Sequence, residues 1–431
     1  MKTLLLLAGR SKRFWPLADK NLVPIAGKTL LEHQVERLRA GGCRDITLVI
    51  GPHNMKEVKK LFPDLPVVRQ QDLDLGMQGA MVSALPKVKK EPVLVVSGND
   101  VIEPEAYRAL VEASTKKGVD GAILARKVKR YFPGGYLTVK GGRIRGIVEK
   151  PGEGKEPSKL VNIVAHVHNN PAALLATLKG MKSGRDDGYE RALDALFQEK
   201  KYVAVPYEGV WQPVKYPWHL LPLLELFLKE IKEPRVSKKA QIHPSAVVTG
   251  NVVIEDGVRL LPGACVVGPC FIGKDTVIGN GALVRGASVG ERCVIGFQSE
   301  VKASVLFSDI WTHMTYIGDS VVAENVSFGG GTTTGNFRLD EEEVTSKVGA
   351  DTVQTGLTKL GAIIGRDCRL GIHVGTNPGV KIGEGSFIAG GTFLHEDVPA
   401  KSFARVKEGK LIIRENRVAA PGAEERTKYR R

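Results

Sequence analysis

Residues 5–33 read LLLAGRSKRFWPLADKNLVPIAGKTLLEH, an apolar run that stops at a glycine and turns cationic. A strand that breaks into such a loop commonly meets a phosphate. Glycine lets the backbone approach, loop N–H groups cradle the oxygens, and cations neutralise their charge. Ala8, Gly9, Arg13 and Lys20 carry that chemistry here. A second apolar run ends in VSGND at 96–100 and delivers a carboxylate, Asp100, to the loop after a strand. Far downstream, EVKASVLFSDIWTHMTYIGDS at 300–320 holds Lys302, His313 and Tyr316. Histidine is the side chain best suited to take up a proton near neutral pH.

Elements must position these groups. Residues 1–232 alternate strand-like runs (KTLLLLA, DITLVI, PVLVVSG, GAILA, YLTV, YVAVPY) with helix-like ones (LLEHQVERLRAG, NMKEVKKLF, EAYRALVEAS). That alternation predicts an α/β domain with a mainly parallel sheet, helices on both faces and ligand-binding loops along one edge. PWHLLPLLELFLKEI reads as a closing helix, and residues 233–240 as a linker.

From 241 to 405 the pattern is different. Ile242, Val248, Ile254, Leu260, Val266, Ile272, Ile278 and Val284 recur every six residues, and after a slip the period resumes at Val289, Ile295 and Val301. A six-residue period predicts a parallel β-helix, with aliphatic side chains inside and small residues at the corners. Many of the 49 glycines are explained this way. The register breaks between about 303 and 362, where GGGTTTGNFRLDEEEVTSK reads as a loop leaving the coil. Coils of this kind pair sideways, so a homotrimer is expected. Residues 406–431 read as a tail whose basic end, RTKYRR, lacks structure of its own.

The formal charge of +15 fits a solvated basic surface or anionic small ligands; no nucleic-acid-binding signature accompanies it. Five cysteines without CxxC spacing point to buried thiols in a reducing cytoplasm. No apolar run is long enough to cross a membrane.

The motifs carry a resemblance. Ala8-Gly9-Arg10-Ser11-Lys12-Arg13, followed by Pro16-Leu17 and Lys20-Asn21, resembles the A-G-x-G-T-R…P-L…K-P opening of the sugar-1-phosphate nucleotidylyltransferases. The whole chain to about residue 405 resembles bifunctional bacterial and archaeal enzymes that make UDP-N-acetylglucosamine. Those join a Rossmann-like uridylyltransferase to a left-handed parallel β-helix acetyltransferase. The resemblance implies UTP or another nucleoside triphosphate, a hexose-1-phosphate, Mg²⁺ and acetyl-CoA as co-substrate.

It also implies roles. Arg13 and Lys20 would neutralise charge on the α-phosphoryl group. QDLDLGMQGAM at 71–81 matches the base-reading segment, with Gln71 on the pyrimidine edge, Gly76 beside it, and Met77 where Thr is usual. Asp100 would hold the metal. Gly135, Glu149, Lys150 and Asn162 match the sugar side. In many relatives a second metal carboxylate follows a Trp; here Trp211-Gln212-Pro213 puts Pro213 in that slot, with Lys215 nearby in sequence. On the coil, His313 would be the general base toward a glucosamine amine attacking the thioester. Arg285, Lys302 and Lys359 would hold the sugar phosphate, with Tyr316 and Asn336 beside it. Ser327 replaces the second Asn of an N-V-N motif. Two other readings stay open. One is a single-activity enzyme on glucose- or mannose-1-phosphate with the coil used for assembly; the other is a non-catalytic sugar-nucleotide-binding scaffold.

Overall fold

The computed structural model describes residues 1–88, 91–182, 187–420 and 422–425. The predicted unstructured end RTKYRR (426–431) lies outside them. The chain divides into two compact units. One holds residues 1–10 and 30–213, the other 11–29 and 214–431.

In the first unit, strands Lys2–Leu6, Ile46–Ile50, Val67–Arg69 and Val93–Ser97 pair in parallel. Every residue of Ile46–Ile50 is buried, as expected for a strand covered on both faces. Helix Leu30–Ala40 buries Leu30, Leu31, Gln34, Val35 and Leu38, one stripe at helical spacing. Helix Pro171–Gly180 starts on Asn170, whose side chain accepts from the Ala173 N–H at 3.0 Å.

The expectation of a mainly parallel sheet holds for only part of it. The nine-stranded sheet continues through Leu160–His168, antiparallel to Val93–Ser97, to the hairpin Gly135–Lys140/Arg143–Glu149. Gly141 and Gly142 close that hairpin with φ of 61° and 71°, a two-residue turn that only glycine adopts freely. Strand Gly121–Lys127 pairs antiparallel with Leu160–His168 and parallel with Tyr202–Pro206.

The second unit is a parallel β-helix of three stacked sheets. The aliphatic residues of the six-residue period form one continuous core from Val252 to Ala404. Pairing begins earlier than residue 241: Arg235–Val236 already lies against Val253 and Ile254. It also runs past 405, because Ser402–Lys407 turns and returns as Lys410–Glu415. The helix expected to close the first half, Leu220–Lys229, belongs instead to the second unit.

The predicted break at 303–362 is mostly not a break. Leu306, Val322 and Ile364 stack in one column, and GGGTTT lies inside the coil, where Thr333–Thr334 pairs with Gly375–Thr376. The aliphatic signal fades because Thr312 and Thr334 take inward positions, and because some sides are one residue shorter. Buried hydroxyls then bond to the coil itself. Thr312 accepts from the Gly296 N–H at 3.1 Å, Thr334 accepts from the Gly318 N–H at 3.0 Å, and Ser320 accepts from the Ala362 N–H at 3.0 Å. Only the segment between Asn336 and Leu360 departs from the coil, carrying the hairpin Thr345–Val348/Asp351–Gln354.

Candidate functional site

In the first unit the sugar-side residues converge. Gly135 pairs with Glu149 across the hairpin. A Cβ built on Gly135 would lie 2.9 Å from Asn162 Oδ1, 3.2 Å from Glu149 Oε2 and 2.8 Å from Ile147 Cδ1. Glycine is therefore required by the close approach of an amide and a carboxylate, both suited to sugar hydroxyls. Lys150 has φ 44° and its Nζ is 2.8 Å from Glu149 Oε1. A cavity of about 410 Å³ opens beside Glu149, with Asp187, Glu190 and Asp194 in its walls.

Ala8 and Gly9 follow the first strand. Ala8 is buried, and the space a Cβ would take at Gly9 is open. Gly76 starts helix Gly76–Ala84 at φ 49°. The exposed Gln71 leaves its side chain to solvent, whereas its neighbour Gln70 is buried and ties the loop, donating to the Asp72 and Gly76 carbonyls at 2.7 and 2.8 Å. Met77 packs its side chain toward the core.

Asp100 opens strand Asp100–Ile102, antiparallel to Trp211–Pro213, with Pro213 opposite Asp100. Trp211 Nε1 donates to Asp100 Oδ1 at 2.8 Å. Pro213, in the slot where the resemblance implies a second carboxylate, has no side-chain ligand atom to offer beside Asp100. Among the described residues no group of three or more His, Cys, Asp or Glu is placed to hold a metal. Mg²⁺ commonly takes one carboxylate and completes its shell with phosphate oxygens and water, so Asp100 fits that group.

Arg13 and Lys20 belong to the second unit. Lys12–Phe14 forms a tight turn sealed by the buried Phe14. Arg13 sits over the Tyr216 ring, 5.7 Å from its centroid, and Tyr216 stacks on the buried Trp218. Ser11, in the glycine slot of the motif it resembles, holds φ 52°, and its Oγ accepts from the Lys20 N–H at 3.3 Å.

On the coil, Arg285 and Lys302 are register partners on successive rungs, and so are Glu300 and Tyr316. Arg285 is paired with Glu300 at 2.6 Å, and Lys302 with Asp319 at 2.7 Å. Asn336 donates to Asp319 Oδ2 at 2.5 Å and to Tyr316 Oη at 3.2 Å. Lys359 lies at the base of the projecting segment, its Nζ 5.7 Å from the Phe337 centroid. His313 is exposed at the corner before Tyr316, and Gly330 keeps the space beside its ring open. Lys302 and Asn336 therefore meet through Asp319, and Tyr316 joins them through Asn336. Arg285 is one rung away and His313 one corner away.

Two residues of this cluster were not singled out from sequence. Asp319 joins a lysine to an asparagine. Gly318 makes room for both, since a Cβ there would fall 2.8 Å from Asn336 Nδ2 and closer still to Tyr316 Oη. Both stand in YIGD, so the signal was present in the motif. Ser327 lies on another face of the coil, opposite Arg369. The five cysteines are free; burial pushes the Cys270 thiol up to about 11 and Cys368 to about 12, which makes them poor nucleophiles.

A nucleotidyltransferase-like sheet unit and a hexapeptide coil define the class, and comparison with known proteins agrees. Residues 3–243 match the MobA-like NTP transferase domain family, and residues 269–296 and 361–396 match the hexapeptide repeat of succinyl-transferase. A bifunctional sugar-1-phosphate nucleotidylyltransferase/acetyltransferase from Sulfurisphaera tokodaii is 31% identical, over 94% of this chain and 100% of that one. The bifunctional protein GlmU of Methanococcus vannielii is 29% identical, over 96% and 100%, and that of Clostridium botulinum 24%, over 96% of each. The chain belongs to this family of bifunctional nucleotidylyltransferase/acetyltransferases. No helix among the described residues is long and apolar enough to cross a membrane.

Proposed function

We propose that the chain acetylates glucosamine-1-phosphate with acetyl-CoA and then couples the product to UTP, giving UDP-N-acetylglucosamine and pyrophosphate. The observation that carries this reading is coverage. The match runs the full length of a relative named for both transfers, and each half here keeps its own polar cluster.

In the acetyl step the amine attacks the thioester carbonyl, the C–S bond breaks, and CoA leaves as the thiol. His313 accepts the amine proton and hands it to the departing sulfur. Arg285 and Lys302 bind the sugar phosphate, exchanging their carboxylate partners for phosphate oxygens, and Lys359 adds a third cation. Tyr316 and Asn336 orient the sugar.

In the nucleotidyl step a sugar-phosphate oxygen attacks the α-phosphorus and pyrophosphate leaves. Arg13 and Lys20 stabilise the developing charge, and the Gly9 backbone cradles the phosphates. Gln71 and the Gly76–Met77 backbone face the base. Gly135, Glu149 and Asn162 hold the sugar, and Lys150 contacts its phosphate. Asp100 would hold Mg²⁺, which supplies charge neutralisation at the phosphates. The working form is a cytoplasmic homotrimer built through the coil.

The test incubates the protein with each nucleoside triphosphate, a panel of hexose- and hexosamine-1-phosphates, Mg²⁺ and acetyl-CoA, and reads product masses. The expected product is UDP-N-acetylglucosamine. Pro213 opposite Asp100 and Met77 in the Thr slot favour, as the second reading, transfer from a different triphosphate to a different sugar, which the same panel would reveal. No pyrophosphate with any combination would refute the nucleotidyl claim.

A further inference from the structure

On one face of the coil, residues in register on successive rungs point away from the core: Phe271, Ser288, Val305, Val321, Ile363 and Lys381. None is more than 6% exposed. The outer face of a solenoid is normally wet, so something covers this one. The cover comes from the same unit. The Ala26 N–H donates to Ser288 Oγ at 2.9 Å. Gly27 sits so near Phe271 that a Cβ would lie 2.5 Å from its ring. Lys381 Nζ lies 5.4 Å from the centroid of Trp15. Helix Leu220–Lys229 packs against Val305–Leu306. These covering segments are the ones that carry Arg13 and Lys20, and that lead into the helix from the Tyr216 ring beneath Arg13.

Lys381 stands out among these residues. A buried ammonium is unfavourable unless it is fully bonded. Here Nζ is bonded to Asp397 at 3.2 Å, to Ser346 Oγ at 3.1 Å and to the Lys347 carbonyl. An aliphatic side chain would cover Trp15 with comparable area. The fixed ammonium adds direction, because a desolvated cation holds an aromatic ring in place.

We infer that Lys381, with Ser288 and Phe271, is a positioning residue for nucleotidyl transfer: the coil holds the 11–29 segment in the shape that presents Arg13 and Lys20 to the triphosphate. The inference rests on the first-site reading above. None of the three residues touches substrate; they act through Trp15, Ala26 and Gly27. Pre-setting two cations before the triphosphate arrives removes reorganisation from the reacting state.

The test uses full-length Lys381→Met, Lys381→Arg and Ser288→Ala. Lys381→Met should lower kcat/KM for the nucleoside triphosphate about tenfold or more, while CoA release in the same preparation stays within about twofold. Lys381→Arg should recover most of the loss. Tryptic cleavage after Lys12 and Arg13 should speed up in Lys381→Met. Ser288→Ala should shift the same readouts less, and serves if Lys381→Met does not fold. Unchanged kcat/KM with unchanged cleavage would overturn the inference; so would parallel loss of both activities with a lowered melting temperature. Should the wild type transfer no nucleotide at all, the functional reading fails, and the cleavage rates alone decide whether Lys381 orders the segment.

Discussion

Gly135 and Gly318 mark the two clusters more sharply than any charged residue does. Each is the point at which functional side chains leave no room for a methyl group. Gly135→Ala would push into Asn162 Oδ1 and Ile147. Its expected result is a rise in KM for the sugar phosphate and a loss of about tenfold or more in nucleotidyl transfer, measured as pyrophosphate release, with CoA release intact. Gly318→Ala would displace Tyr316 and Asn336 and should do the reverse, cutting acetyl transfer and leaving pyrophosphate release unchanged. The residue scale is also where the sequence was most readable. Gly135, Glu149 and Asn162 were named as candidates together, and the hairpin and central strand bring them together. Gln71 shows the opposite limit: only the structure reveals that its neighbour Gln70 is the buried glutamine that shapes the loop.

At the scale of elements, the six-residue period disclosed the coil because aliphatic side chains repeat in its core. It faded after residue 303, where threonine takes two of those positions and some sides are one residue shorter. A hydroxyl satisfied by backbone groups fills an inward position in the fold, yet in the sequence it looks like a polar loop. Ser320 is one such residue. Its Oγ donates to the Gly318 carbonyl at 2.7 Å and accepts from the Ala362 N–H. Ser320→Val should destabilise the coil by about 1–3 kcal/mol, because a buried N–H is left without a partner. Urea unfolding monitored by circular dichroism would show it. In the first unit, the parallel strands announced themselves as continuous apolar runs. The antiparallel half was hidden because its turn signal, the Gly141-Gly142 pair, is only two residues long.

Across the whole molecule, stability should depend on acid through a pair of histidines that no motif points to. His166 and His168 are fully buried and share the Tyr189 hydroxyl, each at 3.0 Å; His168 also meets Tyr202 at 2.8 Å. Burial holds His166 down to about 3 and His168 well below its ordinary value. Below about pH 6.5 the unfolded chain takes up protons that the folded chain refuses. Stability is therefore fully present above that pH and falls as pH drops toward 3, by up to about 1.4 kcal/mol per pH unit for each histidine. A urea midpoint that does not fall between pH 6.5 and 4.5 would contradict this. His166→Asn should flatten the slope.

The central claim is that one chain carries two separable transfers. His313→Ala tests it most directly, with pyrophosphate and CoA release measured on the same preparation. The mutant is given acetyl-CoA and glucosamine-1-phosphate in one vessel, and UTP with N-acetylglucosamine-1-phosphate in another. CoA release should fall by about a hundredfold or more while pyrophosphate release is unchanged. Equal loss of both, or no loss of CoA release, would contradict it.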